Sequence, residues 1–149
     1  MNQYIGLWHT NYEVKNRIHF SLFLMNIEKT NFVAPYNLTK IEGKIFDQLG
    51  VAKFSGEINR DSLKWSFDKE YDRNNCDNMA LLGKIKYQGI TNGKDISGTY
   101  DGKNLDGSEN KGTFYMVDYA SILNNESKLI KNLIFKEIEL MAHDLSINF

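Results

Sequence analysis

The sequence predicts a mainly β protein: an eight-stranded antiparallel up-and-down β-barrel followed by one C-terminal amphipathic α-helix packed on the outside. Three observations predict it. From the start to about Tyr119, apolar residues alternate with polar ones in short runs. Gly, Asn and Asp recur between those runs at the spacing of hairpin turns. From residue 121 the alternation stops, and apolar residues recur every three or four positions instead. The chain of 149 residues fits one domain, 1–149, with the barrel over 1–120 and the helix over 121–149. A domain of this size buries roughly 70% of its unfolded surface, so it needs no disulfide, and the single Cys76 allows none within the chain.

Eight alternating runs read as strands: Tyr4–Thr10, Arg17–Lys29, Asn37–Asp47, Val51–Asn59, Ser62–Tyr71, Ala80–Thr91, Lys94–Tyr100 and Lys111–Tyr119. Thr91-Asn92-Gly93-Lys94 is the strongest turn, because Asn-Gly accepts positive φ at both centres of a type I′ hairpin. Asp47-Gln48-Leu49-Gly50 and Asn59-Arg60-Asp61-Ser62 are weaker versions. Connections this short make sequential strands pair antiparallel, which gives a meander. A repeat of apolar, polar, Gly, polar, apolar recurs at Gly43, Gly56 and Gly98, each Gly on the apolar face. Mid-strand glycine marks a bend or the close approach of another group, and barrel closure requires both. In the last segment Asn124 or Asn125 can cap a helix whose stripe is Ile130, Ile134, Ile138, Met141 and Leu145.

Following the apolar parity of each strand gives an inward face of Ile41, Ile45, Phe54, Ile58, Leu63, Trp65, Phe67, Ile85, Tyr87, Ile96, Tyr100, Phe114 and Met116, with polar residues outside. The second strand is apolar on both faces over 19–25, so something must cover its outer side. A hairpin turning near Glu13 to Lys15 would set Trp8 opposite Phe20, Gly6 opposite Leu22 and His9 opposite His19. Ile5, Leu7, Phe23 and Met25 would then form an exterior patch for the terminal helix to cover.

Gly6-Leu7-Trp8 on the first strand resembles the Gly-x-Trp signature that opens lipocalins, and avidins begin with a similar strand. The resemblance to these calycin-like barrels covers about 115 residues of strand order. It implies a small, mostly apolar ligand in the lumen and Trp8 as a floor residue. Met116-Val117-Asp118-Tyr119 is similar to the second lipocalin motif, Thr-Asp-Tyr, but Val117 replaces Thr and a helix follows where lipocalins place further strands.

Signatures of catalysis and metal binding are sparse. His9 and His19 would need a third ligand, and neither His-x-His nor His-Glu-x-x-His occurs. Asp101 to Gly107 imitates a calcium loop but has Lys103 and Leu105 where oxygens are needed, so it reads as a polar hairpin loop. Asp68 to Asn78 reads as a solvated connection, and Cys76 has acids about it that disfavour a thiolate. Lys53, Lys64, Lys84 and Lys86 form an outward basic cluster with acids interspersed. A net charge of −1 disfavours nucleic acid, and the lack of a long apolar run or signal-like start points to a cytoplasmic chain without a membrane partner.

These observations favour binding over catalysis, since the predicted lumen holds only the phenols of Tyr87 and Tyr100 as ionisable groups. The first expectation is a small apolar or aromatic ligand held by Trp8, Phe20, Phe54, Trp65, Phe67, Tyr87, Tyr100, Phe114 and Met116, with no cofactor, metal or catalytic residue. The second is a protein–protein interaction module whose barrel is filled, as monomer or homodimer. The third is an enzyme with groups such as Glu13 or Asp118 at a rim.

Overall fold

A computed structural model describes residues 3–10, 20–76, 82–104, 107–120 and 136. Eight strands run β1 (Gln3–Thr10), β2 (Phe20–Val33), β3 (Leu38–Asp47), β4 (Gly50–Asn59), β5 (Lys64–Cys76), β6 (Leu82–Asn92), β7 (Asp95–Asn104) and β8 (Glu109–Asp118). Each pairs antiparallel with its sequence neighbours, and β8 pairs back onto β1 from Tyr4↔Asp118 to Thr10↔Gly112. The meander closes into a barrel with no free edge, consistent with the calycin-like fold. The expected terminal helix over 121–149 lies outside the described residues apart from Lys136. Where the chain leaves β8, the Asp118 carboxylate accepts the N–H of Ala120 at 2.9 Å.

Several strands run past their expected ends. β2 continues to Val33 across an irregularity between Ile27 and Lys29 that leaves Glu28 as the extra residue. β5 takes in Asp68 to Cys76, and β7 reaches Asn104 through the stretch read as a loop. Polar composition misled the reading there, because β5 stays paired with β4 through Tyr71 and again at Cys76, β7 stays paired with β8 through Lys103, and inward Lys69, Tyr71 and Asn104 alternate with exposed Glu70, Asp72 and Lys103. The Asn-Gly turn also differs: Asn92 pairs with Asp95, so the two loop residues are Gly93 and Lys94. Only Gly93 has positive φ, at 69°, which is the type II′ pattern rather than I′.

The first hairpin is displaced by one residue from the expected register: Trp8 lies opposite Ser21 and His9 opposite Phe20. A shift of one exchanges the faces of a strand. Ser21, Phe23, Met25 and Ile27 are therefore the buried inward residues of β2, while Phe20 is 59% exposed. Gly6 shows why this register is selected, since a Cβ there would sit 2.3 Å from the Phe23 ring. The space above Gly6 is filled by Phe23, and the pairing that brings them opposite is the one observed.

Phe23 and Met25 thus leave the expected exterior patch for the core, and Leu7 stays 40% exposed. The outer apolar cluster consists instead of buried Ile5 and Leu24 with half-buried Phe46, Val117 and Tyr119 against them. Leu24 explains the doubly apolar reading of β2: odd positions face the lumen and Leu24 faces this cluster.

Candidate functional site

The inward faces of all eight strands meet in one buried cluster. Trp8, Phe54, Trp65, Phe67, Tyr87, Tyr100, Phe114 and Met116 all belong to it, so eight of the nine expected ligand-wall residues share one space. Phe20 does not join them, because the hairpin register turns it outward.

The rings fill this space from wall to wall. At one end Tyr4 on β1 meets Trp65 on β5, the strand diametrically opposite, with centroids 5.2 Å apart and edge to face. At mid-height Phe67 stacks on Tyr87 at 4.9 Å and reaches Phe114 on β8 at 6.1 Å. Tyr87 and Tyr100 stack at 5.2 Å, and Trp8 meets Tyr100 edge-on at 6.4 Å. Each such pair contributes about 0.5–1.5 kcal/mol beyond its area burial. Trp8, Phe54, Trp65, Phe67, Tyr87, Tyr100, Phe114 and Met116 are each exposed by 5% or less, and rings among them meet one another across the barrel. The lumen formed by the described residues is packed.

At the other end, inward parity carries two charges into the barrel. Asp47 follows Ile41, Gly43 and Ile45 on β3, and Lys69 follows Trp65 and Phe67 on β5. Asp47 is fully buried and Lys69 is 1% exposed, and Lys69 Nζ donates to Asp47 Oδ2 at 2.8 Å. Tyr71, the next inward residue of β5, donates its hydroxyl proton to Asp47 Oδ2 at 2.5 Å and accepts from Lys69 Nζ at 2.8 Å. Trp8 Nε1–H donates to the same Oδ2 at 3.0 Å, and the Leu49 N–H donates to Oδ1 at 2.9 Å. The carboxylate is satisfied on both oxygens, as a buried carboxylate must be. The ammonium also lies over the rings of Tyr71, Tyr87 and Trp8, at 4.5, 5.6 and 5.8 Å from their centroids.

Burial pushes the Lys69 pKa below that of an ordinary lysine, with the Asp47 charge pulling the other way. Burial and then the Asp47 charge push the phenols of Tyr71 and Tyr87 well above the usual tyrosine value. Both phenols are therefore neutral across the physiological range, and Tyr71 can pass a proton between Lys69 and Asp47. Because the folded state holds these phenolic protons more tightly than the unfolded chain does, the stability they contribute is complete below the unfolded pKa near 10.0. It is lost as pH rises beyond that. We expect Tyr71 and Tyr87 to ionise only with unfolding, seen as phenolate absorbance rising together with loss of near-ultraviolet circular dichroism. Ionisation of every phenol near pH 10 in a folded protein would contradict this.

No family model, curated protein or solved structure matches the chain.

Asp47, Lys69 and Tyr71 fall at the ends of the expected strands Asn37–Asp47 and Ser62–Tyr71 but were left off the expected inward face, because Asp47 also opens a turn and Asp68 onward reads as a connection. Parity contained them: extending the inward series of β3 and β5 by one or two steps lands on all three. His9 is exposed and faces Phe20 on one side and Thr113 on the other, while His19 lies outside the described residues. Among the described residues no three His, Cys, Asp or Glu side chains gather as a metal site.

The exterior of the barrel carries two further features among the described residues. An open groove of about 560 Å³ crosses the outer face of β2 to β6. Glu28, Glu42, Asp68 and Glu70 balance Lys29, Lys44, Lys53 and Lys84 there, and Lys29 pairs with Glu42 at 3.2 Å. That balance makes it a solvated face rather than an anion site. At the barrel end away from Asp47, four large apolar side chains are exposed: Phe32 at 59%, Tyr36 at 69%, Leu63 at 49% and Ile90 at 53%. Tyr36 and Leu63 lie on turns, Phe32 and Ile90 near the ends of β2 and β6, and hydrogen bonds tie these segments together. Arg60 N–H donates to Asn37 O at 3.0 Å, Asn37 Nδ2 to Asp61 Oδ1 at 2.7 Å, and Thr91 N–H to Leu63 O at 2.9 Å.

Proposed function

We propose that the protein is an interaction module: a filled barrel that binds a protein partner through the rim carrying Phe32, Tyr36, Leu63 and Ile90. The observation that carries this reading is the packed lumen, since a ligand pocket of the usual kind has about 300 Å³ or more of room. Tyr36 and Leu63 on turns tied to their neighbours by hydrogen bonds, with Phe32 and Ile90 at the adjoining strand ends, supply a partly apolar rim, the type of surface that marks interaction sites when gathered on one face. Burial of Ile5 and Leu24 on the outer wall supports a related inference, that the segment 121–149 supplies the expected helix as their cover. The chain enters that segment from Tyr119, itself part of the same cluster.

A second reading is favoured by one observation. Fold closure does not require the Asp47–Lys69 pair, because an apolar pair of similar volume is often as stable or more so. A charged pair among Trp8, Tyr71 and Tyr87 suits a small aromatic molecule with a polar end, bound by displacement of rings that now occupy the lumen.

One experiment separates them. The tagged wild-type chain and a Phe32→Ser, Tyr36→Ser, Leu63→Ser variant are recovered from the native host under gentle conditions and examined by native mass spectrometry. A protein captured by the wild type and lost from the folded variant supports the rim. A stoichiometric small molecule released from both on denaturation moves the function to the lumen.

A further inference from the structure

The geometry points to a covalent bond between two barrel strands: an intramolecular amide joining Lys69 Nζ to Asp47 Cγ, formed by the folded protein on itself. This goes beyond the binding reading and does not depend on it. Amide formation between a lysine and an aspartate is unfavourable in water because both groups are charged and solvated. It becomes accessible when the pair is held together in a dry site that disfavours separate charges and supplies a proton path. Each requirement is met by a particular group here.

Desolvation acts on both partners, since Lys69 is 1% exposed and Asp47 fully buried beneath the aromatic cluster. The ammonium stands 2.8 Å from Asp47 Oδ2 and can hand over one proton to give a neutral amine beside a neutral carboxylic acid. Burial, the leading influence on Lys69, favours that neutral amine. The amine nitrogen then attacks Cγ. Charge developing on Oδ1 is held by the Leu49 N–H at 2.9 Å, a fixed backbone donor placed as in an oxyanion hole. Oδ2 is the leaving oxygen and receives hydrogen bonds from the Tyr71 hydroxyl and Trp8 Nε1–H.

Tyr71 closes the proton circuit. Its hydroxyl is 2.5 Å from Oδ2 and 2.8 Å from Nζ, so it can deliver its proton to Oδ2 while accepting the surplus proton from the attacking nitrogen. One N–C bond forms, one C–O bond breaks and one water departs. Nothing is oxidised or reduced, and no co-reactant is required. Tyr71 is a positioning and proton-transfer residue in this scheme, and Lys69 and Asp47 are the reacting groups. The product links β3 to β5, which are separated by β4 in the sheet, so the cross-link spans strands that do not pair directly.

The test is the intact mass of the full-length protein, purified folded, held at neutral pH, and measured after complete denaturation. The wild type is expected to be lighter than its sequence by one water, and proteolysis is expected to yield a branched peptide containing both Asp47 and Lys69. Lys69→Arg and Asp47→Ala are expected at full sequence mass, and Tyr71→Phe is expected to reach the lighter mass at least tenfold more slowly while remaining folded. A wild type at full sequence mass after prolonged incubation overturns the inference. So does a water loss that maps to any other residue, such as a cyclised aspartate in a turn, or one that persists in Lys69→Arg.

Discussion

Lys69→Met is expected to destabilise the protein by about 3–5 kcal/mol, measured from urea denaturation midpoints at neutral pH. Methionine keeps most of the volume and the apolar stem of lysine, so the packing against Trp8, Tyr71 and Tyr87 changes little. What changes is electrostatic. Asp47 remains fully buried with hydrogen bonds from Trp8, Tyr71 and Leu49 but no neutralising cation. An uncompensated charge in such a place is among the most costly single changes a core can suffer. A cross-link lost with the lysine would add to the figure. A loss below about 1 kcal/mol would mean that the site is wetter than its burial indicates.

Phe67→Ala is expected to cost about 3–5 kcal/mol and to create a binding site where the wild type has none. Phe67 is 2% exposed and its ring touches Phe54, Tyr87 and Phe114, so removing it opens a void bounded by three rings. An apolar cavity of that size stays dry and accepts benzene or xenon. Benzene should raise the melting temperature of the variant and leave the wild type unchanged. Stabilisation of the wild type by benzene would show that its lumen has spare room, and would favour the ligand reading over the filled barrel. The two substitutions act at different levels of the barrel, one on its charged end and the other on its aromatic middle.

Much of the fold was legible because the barrel is one-sided: every strand but β2 alternates, and the alternation names the inner face with no knowledge of the partners. Trp65 and Phe67 on β5 and Phe114 and Met116 on β8 were assigned that way. β2 resisted, because Leu24 faces an apolar cluster outside while Phe23 and Met25 face the core, so parity there carried no information. The register then hung on a turn position, and a single residue of error sent Phe20 to the wrong side. The charged end of the lumen was obscured for a different reason. Asp and Lys are read as exposed from composition alone, and burial of the pair becomes evident only when β3 and β5 are traced to their ends with the parity maintained. The identity of any partner is not a local property of side chains and left no mark on the pattern.

The seam between β1 and β8 has a consequence for how the molecule is made. Strands β2 to β7 find both of their neighbours close by in the chain, but β1 must wait for β8, from Ile5↔Val117 across to His9↔Thr113. During synthesis the nascent chain can form hairpins in order while the first strand keeps one row of backbone groups unmatched. Only after residue 118 has cleared the ribosome can that row be zipped and the lumen sealed from water. Until then the growing sheet exposes its aromatic face and an open edge together, and the first strand is at once the earliest to be made and the last to be fully secured.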